Sequence, residues 1–378
     1  MKIFDLDHAA TTSIDKQVTE AMLPYLFDSY GNPSSMHALG MQNKKDINTA
    51  KKHMAHLLNC DFNELIFTGS GTEATNLAIK GYALSHLDKK EIITTPIEHA
   101  ATLNTCLFME QMGYTIHYLK IDKQGFIDLN DLEEKLNQQT LMVSILWANN
   151  EIGTIQDLAK IAQIVSSKQV CLHVDAIQMV AHYPIDLSAL NVDLMSFSAH
   201  KCHGPKGTGM LYKKMTTQIT PLIHGGGQEF HYRSGTEAVA NIIGFEKALT
   251  LQYESYSTKQ SHLKSLAELF YQGIKKAIPC HLNGPESNET RLPGLLSIGF
   301  FNVSGLSLQY KLNQKGIYVS TGSACHSNEI GISHVIQAID APISNGVIRI
   351  SFGTDTQIED IPYLVESFIE CYLALQED

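Results

Sequence analysis

Apolar positions along most of the chain recur in two alternating rhythms. Stretches with hydrophobic residues three and four apart, such as DINTAKKHMAHLLNC and DLAKIAQIVSSK, predict amphipathic helices, while short β-branched and apolar runs predict strands. The order is ELIFT (strand), GTEATNLAIKGYALSHL (helix), EIITTP (strand), ATLNTCLFMEQMG (helix) and TIHYLKI (strand), followed by strands at TLMVSILWA, VCLHVDA, VDLMSFSA and GTGMLYK. This alternation predicts an α/β fold, a mostly parallel sheet covered by helices on both faces. Near Gly244 the rhythm changes to one long helix, about Asn241 to Ile278. The strands beyond it, LLSIGFFNV, IYVST and VIRISFG, are shorter and more widely spaced, and IEDIPYLVESFIECYLAL closes the chain as a helix. We read a large unit over 13–254 and a smaller α+β unit formed by 1–12 and 255–378.

Composition narrows the functional classes. Hydrophobic content of 44% and charged content of 18% are ordinary for a globular protein, and the formal net charge is −11. That charge argues against nucleic acid as a direct partner, which normally needs clustered Lys and Arg. The N-terminus MKIFDLDHAATTS lacks the apolar core of a signal peptide, and no apolar run approaches the roughly 20 residues of a membrane helix. Seven scattered cysteines with no CxxC suggest reduced thiols of a cytoplasmic protein. Most of them read as small buried hydrophobes; only Cys325, in STGSACHSNEIG, sits among residues suited to an exposed loop.

Three motifs carry candidate chemistry. In ELIFTGSGTEATNLAI, Gly69, Gly71 and Ala74 fit G-x-G-x-x-A between a strand and a helix, with Glu98 at about the distance of a ribose-binding acid. Glycines allow close backbone approach and a helix N-terminus holds an anion, so a phosphate monoester suits the motif as well as a dinucleotide does; Thr72 adds a hydroxyl. In VCLHVDAIQMV, an apolar strand ends in Asp175, followed by Gln178; a buried carboxylate there needs a cation or strong donor, unless it simply caps a helix. In MSFSAHKCHGPKGTGMLY, the next strand ends in Ser198, His200 and Lys201. Here Lys201 as covalent catalyst competes with His200, Cys202 and His203 as metal ligands; the spacing is not a standard zinc pattern, and no metal is expected. A phosphate cradle, a strand-end acid and a strand-end lysine together suit pyridoxal 5'-phosphate. Arg349, within the apolar strand VIRISFG, is costly to bury without a carboxylate partner, either a substrate's or a structural one. His53 and His56 share a helix face and read as solvated surface.

The chain resembles the cysteine desulfurases of the NifS/IscS class, fold-type I pyridoxal-phosphate enzymes. The resemblance rests on LDHAATT, YGNPSSMHALG, FTGSGTEATNLAI, PIEHAA, WANNEIGTIQD, HVDAIQ, SAHKCHGPKGTG, HGGGQEFHYRSGTEAVANIIGF, STGSACHSNE and IRISFG, in that order. It implies a large domain with a mostly parallel seven-stranded sheet and a smaller α+β domain carrying the catalytic cysteine loop. It also implies Lys201 as the lysine that holds the aldehyde, Asp175 at the pyridine nitrogen and Gln178 at the phenolic oxygen. Gly71, Thr72, Ser198 and His200 would hold the phosphate, and Thr236 would reach the phosphate of a partner subunit in a homodimer. His99 would stack on the ring and take part in proton transfer. Asn32, Asn150 and Arg349 would receive the substrate carboxylate, with Asn150 also supporting the cofactor. The implied reaction converts L-cysteine to L-alanine and leaves a persulfide on Cys325 for an acceptor in iron–sulfur assembly, tRNA thiolation or DNA phosphorothioation. A selenocysteine lyase or aminotransferase on the same fold, and a sulfur-relay scaffold, are the alternatives. Departures from the family pattern include His8, where Tyr or Asn is common, and His326 after the loop cysteine. Cys202, beside Lys201, reads as filler.

Overall fold

The computed structural model describes residues 2–321, 332–343 and 345–376. After a short strand β1 (Phe4–Asp5) come helices α1 (Lys16–Phe27) and α2 (Ala38–Leu58). The chain then alternates β2 (Leu65–Thr68), α3 (Gly71–Ser85), β3 (Glu91–Thr94), α4 (Ala100–Gln111), β4 (Thr115–Tyr118), α5 (Leu129–Lys135), β5 (Thr140–Leu146), α6 (Leu158–Ser167) and β6 (Cys171–Asp175). Strands β7 (Leu194–Ser198) and β8 (Gly209–Lys213) complete a seven-stranded sheet of order β2-β8-β7-β6-β5-β3-β4. All its pairings are parallel except those of β8, which runs antiparallel to both neighbours.

Side-chain alternation divides this sheet's contacts. Leu65, Phe67, Ile93, Val143, Ile145, Met210 and Tyr212 pack into one apolar cluster with α2, α6 and α7 (Val239–Ala277). Their neighbours Ile66, Ile92, Met142 and Leu211 turn the other way, into a cluster with α3 and α4. Because both faces are covered, β5 is buried at all seven positions and reads as a mostly apolar run, broken at Ser144, rather than an alternating one.

The 39-residue α7 links this region to a second core. Ile242, Phe245, Ala248 and Leu249 near its start belong to the sheet's cluster, whereas Leu263, Leu266, Phe270 and Ile274 belong to another. That second cluster covers β9 (Cys280–Asn283), β10 (Leu295–Phe300) and β12 (Val347–Ser351), an antiparallel sheet of order β12-β10-β9. It is closed by α8 (Gly305–Gln314) and α9 (Ile361–Ala374), with β11 (Ile317–Tyr318) pairing in parallel with β1. The N-terminal segment crosses between the two: Phe4 and Leu6 lie in the second core and Ala9 in the first. Among the described residues no helix is long and apolar enough to cross a membrane.

Candidate active site

Parallel strands of one sheet deliver their C-terminal ends to one edge, where the loops leave a crevice. Here that crevice is a cavity of about 430 Å³, within the range of small-ligand sites. Gly71, Thr72, His99, Asn150, Asp175, Gln178, Ser198, His200, Lys201 and Arg349 all line it. Asn32 does not line it: it is exposed, and its side-chain oxygen accepts from Ser34 N at 2.9 Å. Thr236 is also exposed and away from the cavity. Cys325 and His326 lie outside the described residues.

The anion end is built by local rules. Ser70 caps α3, its hydroxyl accepting from Glu73 N at 3.1 Å, and the first-turn amides beyond it have no acceptor within the helix. Gly71 is needed for space, since a Cβ there would lie 2.4 Å from Ile177 Cδ1 and 3.2 Å from Ser198 Cβ. Gly209 on β8 approaches the same turn so closely that a Cβ would meet the Ser70 carbonyl carbon at 2.3 Å. His200 Nδ1 lies 3.1 Å from Thr11 Oγ1, and burial, with Lys201 and Lys206 nearby, lowers the His200 pKa to about 4, so it is neutral at pH 7.

The other walls carry the titratable groups. Asp175 ends β6 and is buried; burial pushes its carboxyl up, opposed by His99, the Ile177 amide at 3.0 Å and Lys201. Such a carboxylate is completed by a cationic or N–H partner in the cavity. Lys201 Nζ donates to the carbonyls of Ala9 at 2.6 Å and Ala10 at 2.8 Å, and Gln178 Nε2 donates to Ala9 O at 3.0 Å. His99 caps α4, with Nδ1 accepting from Ala101 N at 3.0 Å, which leaves Nε2 as the ring's N–H. Arg349 is 2% exposed; its Nη2 donates to Asp7 Oδ1 at 2.6 Å and Nη1 to Asn150 O at 3.2 Å, while Nε has no partner among the described residues.

Other residues in or near the wall had a different reading in the sequence, or none. Glu98 is no ribose acid on a surface: it is 1% exposed in the cavity wall, accepting from Thr95 Oγ1 at 2.6 Å, and burial pushes its carboxyl up to about 8. Its Oε2 has no partner among the described residues. Asp7 and the Ala9 and Ala10 carbonyls matter through tertiary pairing alone, for which LDHAATT holds no local signal. Cys202 is buried, its Sγ 3.3 Å from Ala199 O, and burial pushes the thiol up to about 12, far from a nucleophile's range.

Comparison with known proteins matches this arrangement to a family. The model of the class-V aminotransferases matches residues 5–364. A protein of Dictyoglomus turgidum named cysteine desulfurase IscS is 44% identical over 365 residues, covering 96% of this chain and 92% of that relative. A solved NifS-like protein superposes with a TM-score of 0.92 at 37% identity, covering 98% of this chain and 99% of its own. A structure described as SspA in complex with cysteine gives 0.81 at 31% identity, covering 92% and 98%.

Proposed function

The chain belongs to the class-V aminotransferase family, and on that premise we propose that it is a pyridoxal-phosphate-dependent cysteine desulfurase. The observation that carries the reading is the convergence of a helix N-terminus, a buried strand-end carboxylate and a strand-end lysine on one cavity of cofactor size. The residues fit the coenzyme on their own chemistry. The Gly71 cradle accommodates a phosphate, and the raised Asp175 carboxyl suits a protonated ring nitrogen. When bound, pyridoxal phosphate supplies an aldehyde that takes an amine and a ring that accepts an electron pair.

The protein's own groups then have separate tasks. Gly71, Thr72, Ser198 and His200 hold the phosphate, neutral His200 doing so as a hydrogen-bonding partner. Asp175 would keep the ring nitrogen protonated and Gln178 would hold the phenolic oxygen. Arg349 receives the substrate carboxylate, with Asn150 beside it. Lys201 would hold the aldehyde and move protons, with His99 Nε2–H as the second proton-handling group. Cys325 takes the substrate sulfur as a persulfide, leaving L-alanine. A thiol doing this work suits a reducing compartment such as the cytoplasm. An acceptor protein collects the sulfur. In a two-fold homodimer, Thr236 and Asn32 serve the partner's site, in keeping with their exposure in the single chain. The division into 13–254 and a smaller unit of 1–12 with 255–378 is supported by the change of core along α7.

The test is alanine release from L-cysteine by the purified protein with pyridoxal phosphate, beside Cys325→Ala and Lys201→Ala. Both variants should lose it. Borohydride reduction should fix the coenzyme to Lys201 in the wild type. Undiminished alanine release by Cys325→Ala would remove the persulfide step and favour a lyase or aminotransferase reading.

A further inference from the structure

The cofactor cavity is not the only space that touches Lys201. A second, smaller cavity of about 40 Å³ adjoins it, and Lys201, Gln178 and Ala9 line both. It is large enough for about one or two waters and has polar walls to hold them, among them Thr12, Ser351 and His8.

His8 stands between this small cavity and the surface. Its side chain is 12% exposed, and Nε2 lies 3.5 Å from Asp355 Oδ1 and 4.0 Å from Asp5 Oδ2. That nitrogen has no hydrogen-bond partner among the described residues. The Asp355 side chain is 65% exposed. Gly353 accounts for the approach of the pair: a Cβ at that position would lie 2.1 Å from His8 Cε1 and 2.4 Å from Asp355 Oδ1. The missing side chain is therefore the space in which imidazole and carboxylate meet.

We propose that His8 and Asp355 form a proton port, passing protons between bulk water and the cavity beside Lys201. The inference rests on the reading of Lys201 as the working amine. The carbonyls of Ala9 and Ala10 fix that amine but, as acceptors without acid–base function, cannot take its proton. When Lys201 releases a proton into the small cavity, His8 accepts one there and releases one towards Asp355 and solvent. The histidine ends as it began; no electron pair is lost and no bond to carbon changes. The reverse traffic recharges the amine.

The surrounding charges single out His8 for this role. Burial lowers its pKa, but Asp355, Asp5 and Asp7 outweigh burial and leave it above the usual histidine value. His203, whose ring centroid is 6.0 Å from that of His8, is held below the usual value by burial, Lys259 and His8 itself. His182 is lowered to about 4 by burial, Lys259, His203 and His8. Of the three histidines around the small cavity, His8 is the one positioned to change charge near neutrality.

Two measurements test the port. In cofactor-free protein, a nitrogen-edited NMR titration, with His8 assigned by its loss in His8→Asn, should give a His8 midpoint above that of an ordinary histidine. The surface change Asp355→Asn should lower it. In the holoenzyme, His8→Asn should cut kcat for alanine release by about tenfold, leave KM for cysteine unchanged, and be rescued by added imidazole. A His8 midpoint indifferent to Asp355→Asn, an undiminished kcat in His8→Asn, or a loss that imidazole does not restore each overturns the port. A wild type that releases no alanine defeats the functional reading and the port together, whereas an active wild type beside an unimpaired His8→Asn defeats the port alone.

Discussion

Arg349 gives the sharpest test of how substrate is recognised, because its partner is visible. The 2.6 Å bond from Nη2 to Asp7 Oδ1 satisfies a guanidinium that is otherwise 2% exposed. Asp7→Asn keeps an oxygen of the same shape but removes its charge. Breaking a buried pair outright costs about 3–5 kcal/mol. Two features reduce that figure here: the Asp7 side chain is 27% exposed, so solvent screens part of the attraction, and asparagine retains a neutral hydrogen bond. A loss of about 1–3 kcal/mol follows, which in a chain of this size lowers Tm by about 1–4 °C. Substrate binding moves the other way. In the free enzyme Asp7 competes for the guanidinium with an incoming carboxylate, so Asp7→Asn removes a competitor. A gain of about 1 kcal/mol lowers KM for cysteine about fivefold. Thermal unfolding of the cofactor-free variant and steady-state alanine release measure the two effects separately. An unchanged Tm would mean that the ion pair contributes nothing in solution. A raised KM would mean that Asp7 helps to orient Arg349 rather than competing for it, and the reasoning would fail.

Three further predictions follow the same logic. Lys51 and Glu229 form a buried pair at 2.7 Å, Glu229 also accepting from Phe67 N at 2.9 Å; Lys51→Met should destabilise by about 3–5 kcal/mol, and adding Glu229→Gln should recover part of it in urea titrations, an additive double variant arguing against coupling. The folded-state pKa of Glu98, raised to about 8 chiefly by burial, means that the folded chain binds a proton the unfolded chain has released, so stability should fall as pH rises from about 4.5 to 8. Glu98→Gln should flatten that part of the stability profile, and an identical slope in the variant would show that Glu98 is ionised in the fold. Cys202→Ala should leave alanine release within about twofold of wild type while costing about 1 kcal/mol of stability. A loss of activity matching that of Cys325→Ala would give the buried thiol a chemical role.

Much of this was legible in the chain because the main sheet obeys local pattern. The runs ELIFT and TLMVSIL announce strands by composition, and strand-end positions placed Asp175, Ser198 and Lys201 at one edge before any pairing was known. The antiparallel course of β8 was not legible: GTGMLYK carries no local mark of direction, which is set by the connection, not the residues. The helix over Lys16–Phe27 was also missed, since Pro24 interrupts its pattern and Val18 is its only buried residue. At the site, residues acting through their own type and position were found. Those acting through distant partners were not: Asp7 meets Arg349 across 342 positions, and Glu98 becomes a neutral acid only because of the walls that enclose it.

The N-terminal segment has a consequence beyond packing. Phe4 N donates to Gly316 O, Ala9 N to Ser351 Oγ and Thr12 N to His200 O, while the intervening carbonyls hold Lys201. The first dozen residues thus act as a drawstring that ties the outer core to the reactive amine. A single nick near residue 8 would slacken the amine while leaving every strand of the main sheet in place, so a stretch outside that sheet is here a matter of catalysis.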